Sequence, residues 1–281
     1  MIDSRDFIIH QRFVLKAEQI DLEVLPGKKT YPPQIKKMIN RAWVEATQNP
    51  AIKIFNGRVV SLCGVIQNSL DEAGVFKCQV QQTDYKSFYG TNVVNSMYIQ
   101  DSSHLANALA ACVVAETTDA TIIVGCRSGN MAEGSGVWHV PGGTLEFPET
   151  TQEHKDLKKL LKLPYTRAAA LNPVLTMMRE LREELNIASG DIIEALCLGL
   201  GENLQMKKPE FLCYFRLGLS SDEVQEAMSN AVDRDEHGTV SFVPVEDIMD
   251  FCRTYRFAPI GIAAITRYWE YQSEKRPNLH L

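Results

Sequence analysis

The sequence predicts an α/β layered fold, and three observations carry that expectation. Short β-rich runs interleave with helical stretches over residues 106–281, the pattern of helices laid on a sheet. One helix, 173–185, carries signals at both of its ends. The 45% apolar and 23% charged content is that of an ordinary globular chain. Residues 1–105 read as a smaller α+β block ahead of this domain.

Residues 11–25 hold two short apolar runs around Lys16-Ala17-Glu18-Gln19 and are expected to form a hairpin. Pro32-Pro33 opens a helix from Gln34 to about Gln48, since proline is tolerated in a first turn. Ile35, Ile39, Ala42 and Ala46 recur there at helical spacing. Asn56-Gly57 is a turn signal. Arg58–Gln67 and Val75–Thr83 read as strands separated by Asp71-Glu72-Ala73-Gly74.

In the second block, 111–116 and 121–126 form an expected hairpin across Thr117–Ala120. Val137–Val140 is a third short run, stopped by Pro141-Gly142-Gly143. Residues 151–163 are helical in pattern and basic, and the lysines of this insert could draw in an anion. Asn172 is a good N-cap, Pro173 fits the first helical position, and Asn186 tolerates the left-handed conformation that ends a helix. Further strands are expected at 192–198, 211–217 and 239–243. Helices at 245–252 and about 259–272 follow.

Composition narrows the classes of function. The 29 basic and 35 acidic residues leave a net charge of −6, which is not the electrostatic footprint of a non-specific nucleic-acid binder. No run approaches the length of a membrane span, and MIDSRDFIIHQR has no clean apolar core of a secretory signal. The seven cysteines are scattered, with no Cys-x-x-Cys. Reduced, mostly buried thiols and a cytoplasmic location are therefore expected, with neither a disulfide framework nor a zinc site.

The chemistry concentrates in Arg179-Glu180-Leu181-Arg182-Glu183-Glu184-Leu185. On a helix, Glu180, Glu183 and Glu184 span an arc of about 100°, while Val174, Met178, Leu181 and Leu185 occupy another side. Carboxylates at i,i+4 repel, and a hard divalent cation removes that penalty. A solvated acidic face is the plainer alternative for this segment taken alone.

Upstream, Val140-Pro141-Gly142-Gly143-Thr144-Leu145-Glu146-Phe147-Pro148-Glu149 supplies a context. Gly143 followed after five residues by Glu149 resembles the first half of the Nudix box, GxxxxxE. Arg179-Glu180-Leu181-x-Glu183-Glu184 resembles its second half, REUxEE. Here 22 extra residues separate the halves, and Asn186 replaces the usual glycine. Tyr85-Lys86-Ser87-Phe88-Tyr89-Gly90-Thr91-Asn92 and Pro209-Glu210-Phe211, with the split box, are similar to the Nudix branch that hydrolyses UDP-glucose and UDP-galactose.

The resemblance implies a Nudix-fold α/β/α sandwich with a mixed sheet after the smaller domain. It also implies Mg²⁺-dependent cleavage of a UDP-sugar to UMP and a sugar 1-phosphate, with Mn²⁺ able to substitute. Glu180 and Glu184, with Glu183 as a third, match the metal ligands, and Arg179 matches the arginine that orients a glutamate. Glu210 is the first candidate for general base and Glu183 the second. Arg127 would contact phosphate. Tyr85 and Phe88 would wall the uracil, while Thr91 and Asn92 would bond its edge or the ribose. Gly142 and Gly143 would let the chain turn tightly beside the metal. The expected partner is a small nucleotide sugar, with no nucleic acid or membrane, and the chain a monomer or homodimer. ADP-ribose, CoA or another nucleoside diphosphate derivative is the alternative substrate, and a non-catalytic nucleotide-sugar-binding module the alternative class.

Overall fold

A computed structural model of the chain describes residues 6–50, 54–127, 136–147, 171–229, 231 and 237–275. The expected basic helix at 151–163 and Glu149 lie outside them.

The described elements follow the predicted order closely. Strands β1 (Phe7–Leu15) and β2 (Ile20–Lys28) precede helix α1 (Pro33–Thr47). Strands β3 (Arg58–Leu70) and β4 (Phe76–Asp84) lead into a short helix α2 (Tyr85–Phe88) and a wide turn at Tyr89–Val93. Then come β5 (Ala110–Glu116), β6 (Thr121–Arg127), β7 (Trp138–His139) and β8 (Gly142–Thr144). Helix α3 (Pro173–Leu185), β9 (Ile192–Asn203), β10 (Lys208–Leu217), α4 (Ser221–Met228), β11 (His237–Pro244), α5 (Ile248–Thr254) and α6 (Pro259–Lys275) complete the chain.

The large sheet has the order β1-β9-β10-β5-β6-β11, with β7 on β6 and β8 on β5. It is mixed, because β10 runs parallel to β5 while its other pairings are antiparallel. Successive side chains of the central strands enter opposite cores. Ala111, Val113, Phe211, Cys213 and Phe215 pack with Val174, Met178, Leu181 and Leu185 of α3. Cys112, Val114, Leu212 and Tyr214 pack instead with Ile260, Ala264 and Tyr268 of α6 and with Ile248 and Cys252 of α5. The result is the expected α/β/α sandwich.

The smaller sheet, β2-β4-β3, shares the core on the α3 side. Phe76 of β4 meets Phe211 of β10 edge to face at 5.9 Å between ring centroids, and Phe13 of β1 at 5.0 Å. The expected hairpin at 11–25 is not formed. β1 pairs with β9 in the large sheet, whereas β2 pairs with β4 in the small one. The short helical turn Ala17–Gln19 redirects the chain between them. Local pattern shows two apolar runs, but their partners lie far away in sequence. The first block thus lends a strand and core residues to the second.

All seven cysteines are free, and five of them are buried. No described helix is long and apolar enough to cross a membrane.

Candidate active site

Helix α3 carries the acidic cluster and is held firmly at both ends. The Asn172 side chain accepts a hydrogen bond from the Val174 N–H at 3.0 Å and donates to the Ala17 carbonyl at 2.7 Å. Asn186 takes the left-handed conformation at φ 55°, and its N–H donates to the Arg182 carbonyl. Both caps are those that the sequence predicts. They matter to the site because they fix the rotation of the helix about its axis, and with it where the glutamates fall.

Glu184 lies on α3 at 2% exposure, so a carboxyl group is buried inside the protein. Glu180 is partly buried and is bound by Arg179, whose Nη2 donates to its Oε1 at 2.5 Å. The same guanidinium approaches Glu183 with Nε at 3.7 Å from Oε2, and Glu146 bears on it electrostatically. Glu183 is the more open of the cluster, its side chain being 37% exposed. Burial raises the Glu180 carboxyl most, Arg179 opposes that rise, and Glu184 and Glu183 add to it. The outcome is a group pushed up to about 7.

Strand β8 closes over this cluster. Gly143 pairs with Ala111 of β5, and a Cβ added to it would fall 2.4 Å from Cδ of Glu180. The carboxylate therefore lies directly against the backbone, in space that any side chain would fill. A Cβ on Gly142 would meet the Ala111 carbonyl at 3.0 Å. These two glycines are extended strand residues, not the tight turn expected of them. Neither has a positive φ, and what demands glycine is close approach.

Of the four residues expected in a uracil pocket, Phe88, Thr91 and Asn92 are buried and Tyr85 is half-buried. Thr91 and Asn92 are fully buried. The Thr91 hydroxyl donates to the Ser87 carbonyl at 2.7 Å and accepts from the Ala106 N–H at 2.9 Å. The Asn92 amide donates to the Met206 and Lys207 carbonyls at 2.9 and 3.1 Å, and its oxygen accepts from the Asn107 N–H at 3.1 Å. Thr91 ties residues 87–106 together, and Asn92 fastens that segment to the turn between β9 and β10. Gly90 belongs to the same fastening, since a Cβ there would lie 2.6 Å from Cα of Ile39 in α1. Phe88 is buried with Ile35, Ile39 and Leu105. Tyr85 packs against Trp43, Phe88 and Tyr89.

Glu210 and Glu183, the two expected bases, are separated. Alternation along β10 puts Glu210 on the face of Leu212 and Tyr214, opposite α3. Glu210 is 5% exposed, and Lys208 stands 3.8 Å from it. Glu183 is in the α3 cluster and Glu210 is not. Arg127 ends β6 with its backbone opposite His237, and its side chain lies outside the described part.

Sequence reading passed over Lys208. Lys208-Pro209-Glu210 has a period-two signal that puts both charges on one face of a strand, and that signal was available. Among the described residues, no group of three or more His, Cys, Asp or Glu is set to hold a metal as the side chains stand. The donor chemistry nonetheless fits a hard divalent cation. It offers carboxylate oxygens without nitrogen or sulfur, one of them driven toward the neutral form by burial first and by its acidic neighbours after that.

The chain has relatives among known proteins. No protein-family model matches the chain. It is similar to Nudix hydrolase 9 of Arabidopsis thaliana, 26% identical over 257 residues that cover 83% of this chain and 81% of the relative. It is also similar to the uridine diphosphate glucose pyrophosphatase NUDT22 of Mus musculus, 25% identical over 266 residues, 88% of this chain and 83% of that one. Among solved structures, the bifunctional NMN adenylyltransferase/ADP ribose pyrophosphatase from Francisella tularensis superposes with a TM-score of 0.39 and 17% identity, covering 59% of this chain and 42% of that chain. The resemblance drawn from the two half-boxes is thus borne out along most of the sequence.

Proposed function

We propose that this chain, a member of the Nudix hydrolase family, hydrolyses the pyrophosphate bond of UDP-sugars to UMP and a sugar 1-phosphate with Mg²⁺. The observation that carries the reading is the Glu180 carboxyl, seated on Gly143 beside the buried Glu184 and the more open Glu183 and pushed up to about 7, chiefly by burial. Such a group is costly by itself and becomes favourable with a cation among its oxygens. Similarity to a relative named for UDP-glucose supports the choice of nucleotide sugar.

Glu180 and Glu184 would hold the cation, with Glu183 beside them. Mg²⁺ bound there supplies charge neutralisation for the diphosphate and a more acidic water. The protein's own contributions follow from its geometry. Arg179 keeps the Glu180 oxygen in place. Gly143 leaves room for it, and β8 holds the backbone close. Glu183, the most exposed of the three, would take the proton as water adds to phosphorus and the bridging P–O bond breaks. That assignment favours Glu183 over Glu210, which faces the other side of the sheet.

The test is incubation with Mg²⁺ and a panel of UDP-glucose, UDP-galactose, ADP-ribose and CoA, with released phosphomonoester read through an added phosphatase. Turnover of the UDP-sugars ahead of the others is expected. Absence of turnover across the panel overturns the proposal.

A further inference from the structure

We propose that the cavity beside Gln82 is the subsite for the uracil base, with the Gln82 side-chain amide bonding the base edge. This subsite rests on the function proposed above and supplies what the half-boxes leave open, the choice of nucleoside.

A cavity of about 450 Å³ lies between residues 24–28 of β2, Gln82 of β4 and Phe147. Small-molecule pockets begin at about 300 Å³. The strand pairing creates this one. Val24 pairs with Val80 and Lys28 with Gln82, so three residues of β2 stand opposite one of β4. The surplus leaves the ladder as a bulge. Gly27 takes the left-handed φ of 74° that the bend needs. The Gln81 side chain donates to the Pro26 carbonyl at 3.0 Å and fixes the bulge in place.

The walls suit a flat heterocycle. Phe76, Cys78 and Val80 form an apolar row on the α3 side of β4, and alternation puts Gln82 next in that row. An amide thus stands where the core ends and the cavity begins. The Gln82 carbonyl accepts from the Lys29 N–H at 2.8 Å, so its side chain is the polar group that it can turn to a ligand. A primary amide donates and accepts side by side, which matches the carbonyl and N–H of a uracil edge. Val24, Leu25, Pro26 and Phe147 supply apolar wall around it. A hexose would leave hydroxyls unpaired against those walls, so the base and not the sugar belongs here.

The cavity lies within reach of the acidic cluster. Gly143, against which Glu180 rests, and Phe147 are four residues apart, a span of at most about 14 Å. Between them Glu146 is exposed and bears on Arg179. Val60 of β3 fixes the arrangement, since it pairs with Gln82 and its N–H donates to the Leu145 carbonyl at 2.9 Å. A base in the cavity leaves the ribose and diphosphate to follow the chain from Phe147 back to the carboxylates that would hold the cation.

Calorimetric titration with UMP and CMP in Mg²⁺ tests the assignment, because these ligands share ribose and phosphate and differ in the base edge. Gln82→Ala is expected to weaken UMP about tenfold. Gln82→Glu keeps an acceptor but has no donor. It should shift the ratio of UMP to CMP affinity about tenfold toward CMP, whose amino group donates. Leu25→Trp, which fills the cavity from the bulge, should weaken both. Thermal melts show which variants are folded, and Gln82 and Leu25 lie on different strands, so either can decide if the other fails to fold. Unchanged UMP affinity in folded Gln82→Ala or Leu25→Trp overturns the inference, and so does an equal change for UMP and CMP in Gln82→Glu. If the wild type hydrolyses UDP-glucose while these variants bind normally, the subsite alone is wrong. If the wild type neither binds UMP nor turns over the panel, the proposed function fails with it.

Discussion

At the scale of single residues, the site is defined by where negative charge is confined. Glu184 is expected to be indispensable. Glu184→Gln keeps the shape and hydrogen-bonding reach of the buried side chain but removes its charge, which the proposed function assigns to the cation. It should cut kcat by about a hundredfold with the melting temperature held or raised, as steady-state kinetics and a thermal melt would show. Glu180 makes a second prediction, through pH. Its carboxyl sits at about 7 in the folded metal-free protein against an ordinary 4.5, so the folded state binds the proton more tightly than the unfolded chain. Stability of the metal-free protein should therefore fall as pH rises from about 4.5 to about 7 and level off above that. Urea titrations across this window measure it. Added Mg²⁺ should recover the loss above pH 7, and an unchanged profile with Mg²⁺ would deny Glu180 a role as ligand.

At the scale of elements, helix α3 and the fastening segment 85–107 matter most. Caps at Asn172 and Asn186 and the apolar side of α3 follow from local chemistry, so that helix was legible residue by residue. Asn172 also ties α3 to the Ala17 carbonyl. Asn172→Ala should cost about 2 kcal/mol, read by denaturant unfolding, as it loses a cap and a buried bond together. The segment 85–92 was legible as a family-like motif but not as to its task. A Thr-Asn pair can serve a ligand or the backbone, and the choice depends on which acceptors the fold brings near. Met206 and Lys207 lie 114 and 115 residues downstream of Asn92, beyond any local pattern. Asn92→Ala should lower stability by about 1–3 kcal/mol, because it removes bonds to two part-buried carbonyls and an N–H. It should change KM for UDP-glucose little once activity is corrected for the folded fraction; a large rise in KM at full folding would return Asn92 to the substrate.

At the scale of the whole molecule, the two blocks share one interior. Phe13, Leu15 and Ala17 are buried in the same core as α3 and β10, and β1 covers the β9 edge. Gly199 of β9 lets that strand come close, since a Cβ there would lie 2.5 Å from the Gln11 carbonyl. Expression of residues 106–281 alone should give a chain that fails to unfold cooperatively and aggregates through its bared β9 edge. Circular dichroism melts and size-exclusion chromatography would show this. A cooperative, monodisperse fragment would establish the second block as a self-sufficient domain.

The sequence by itself determined the order and type of most elements, the caps of α3, the alternation that makes a sandwich, and the gathering of Glu180, Glu183 and Glu184 on one turn. All of these depend on neighbours within a few residues, and helix and strand periods express them directly. Tertiary structure alone decided that β1 and β2 part company, that Gly143 is a seat for a carboxylate, that Asn92 is bonded to the Met206 and Lys207 carbonyls, and that the face of β10 carrying Glu210 is packed away from α3. Each of those outcomes is a contact between segments distant in sequence. Which partner meets a strand edge or a polar side chain is settled by packing the whole core at once.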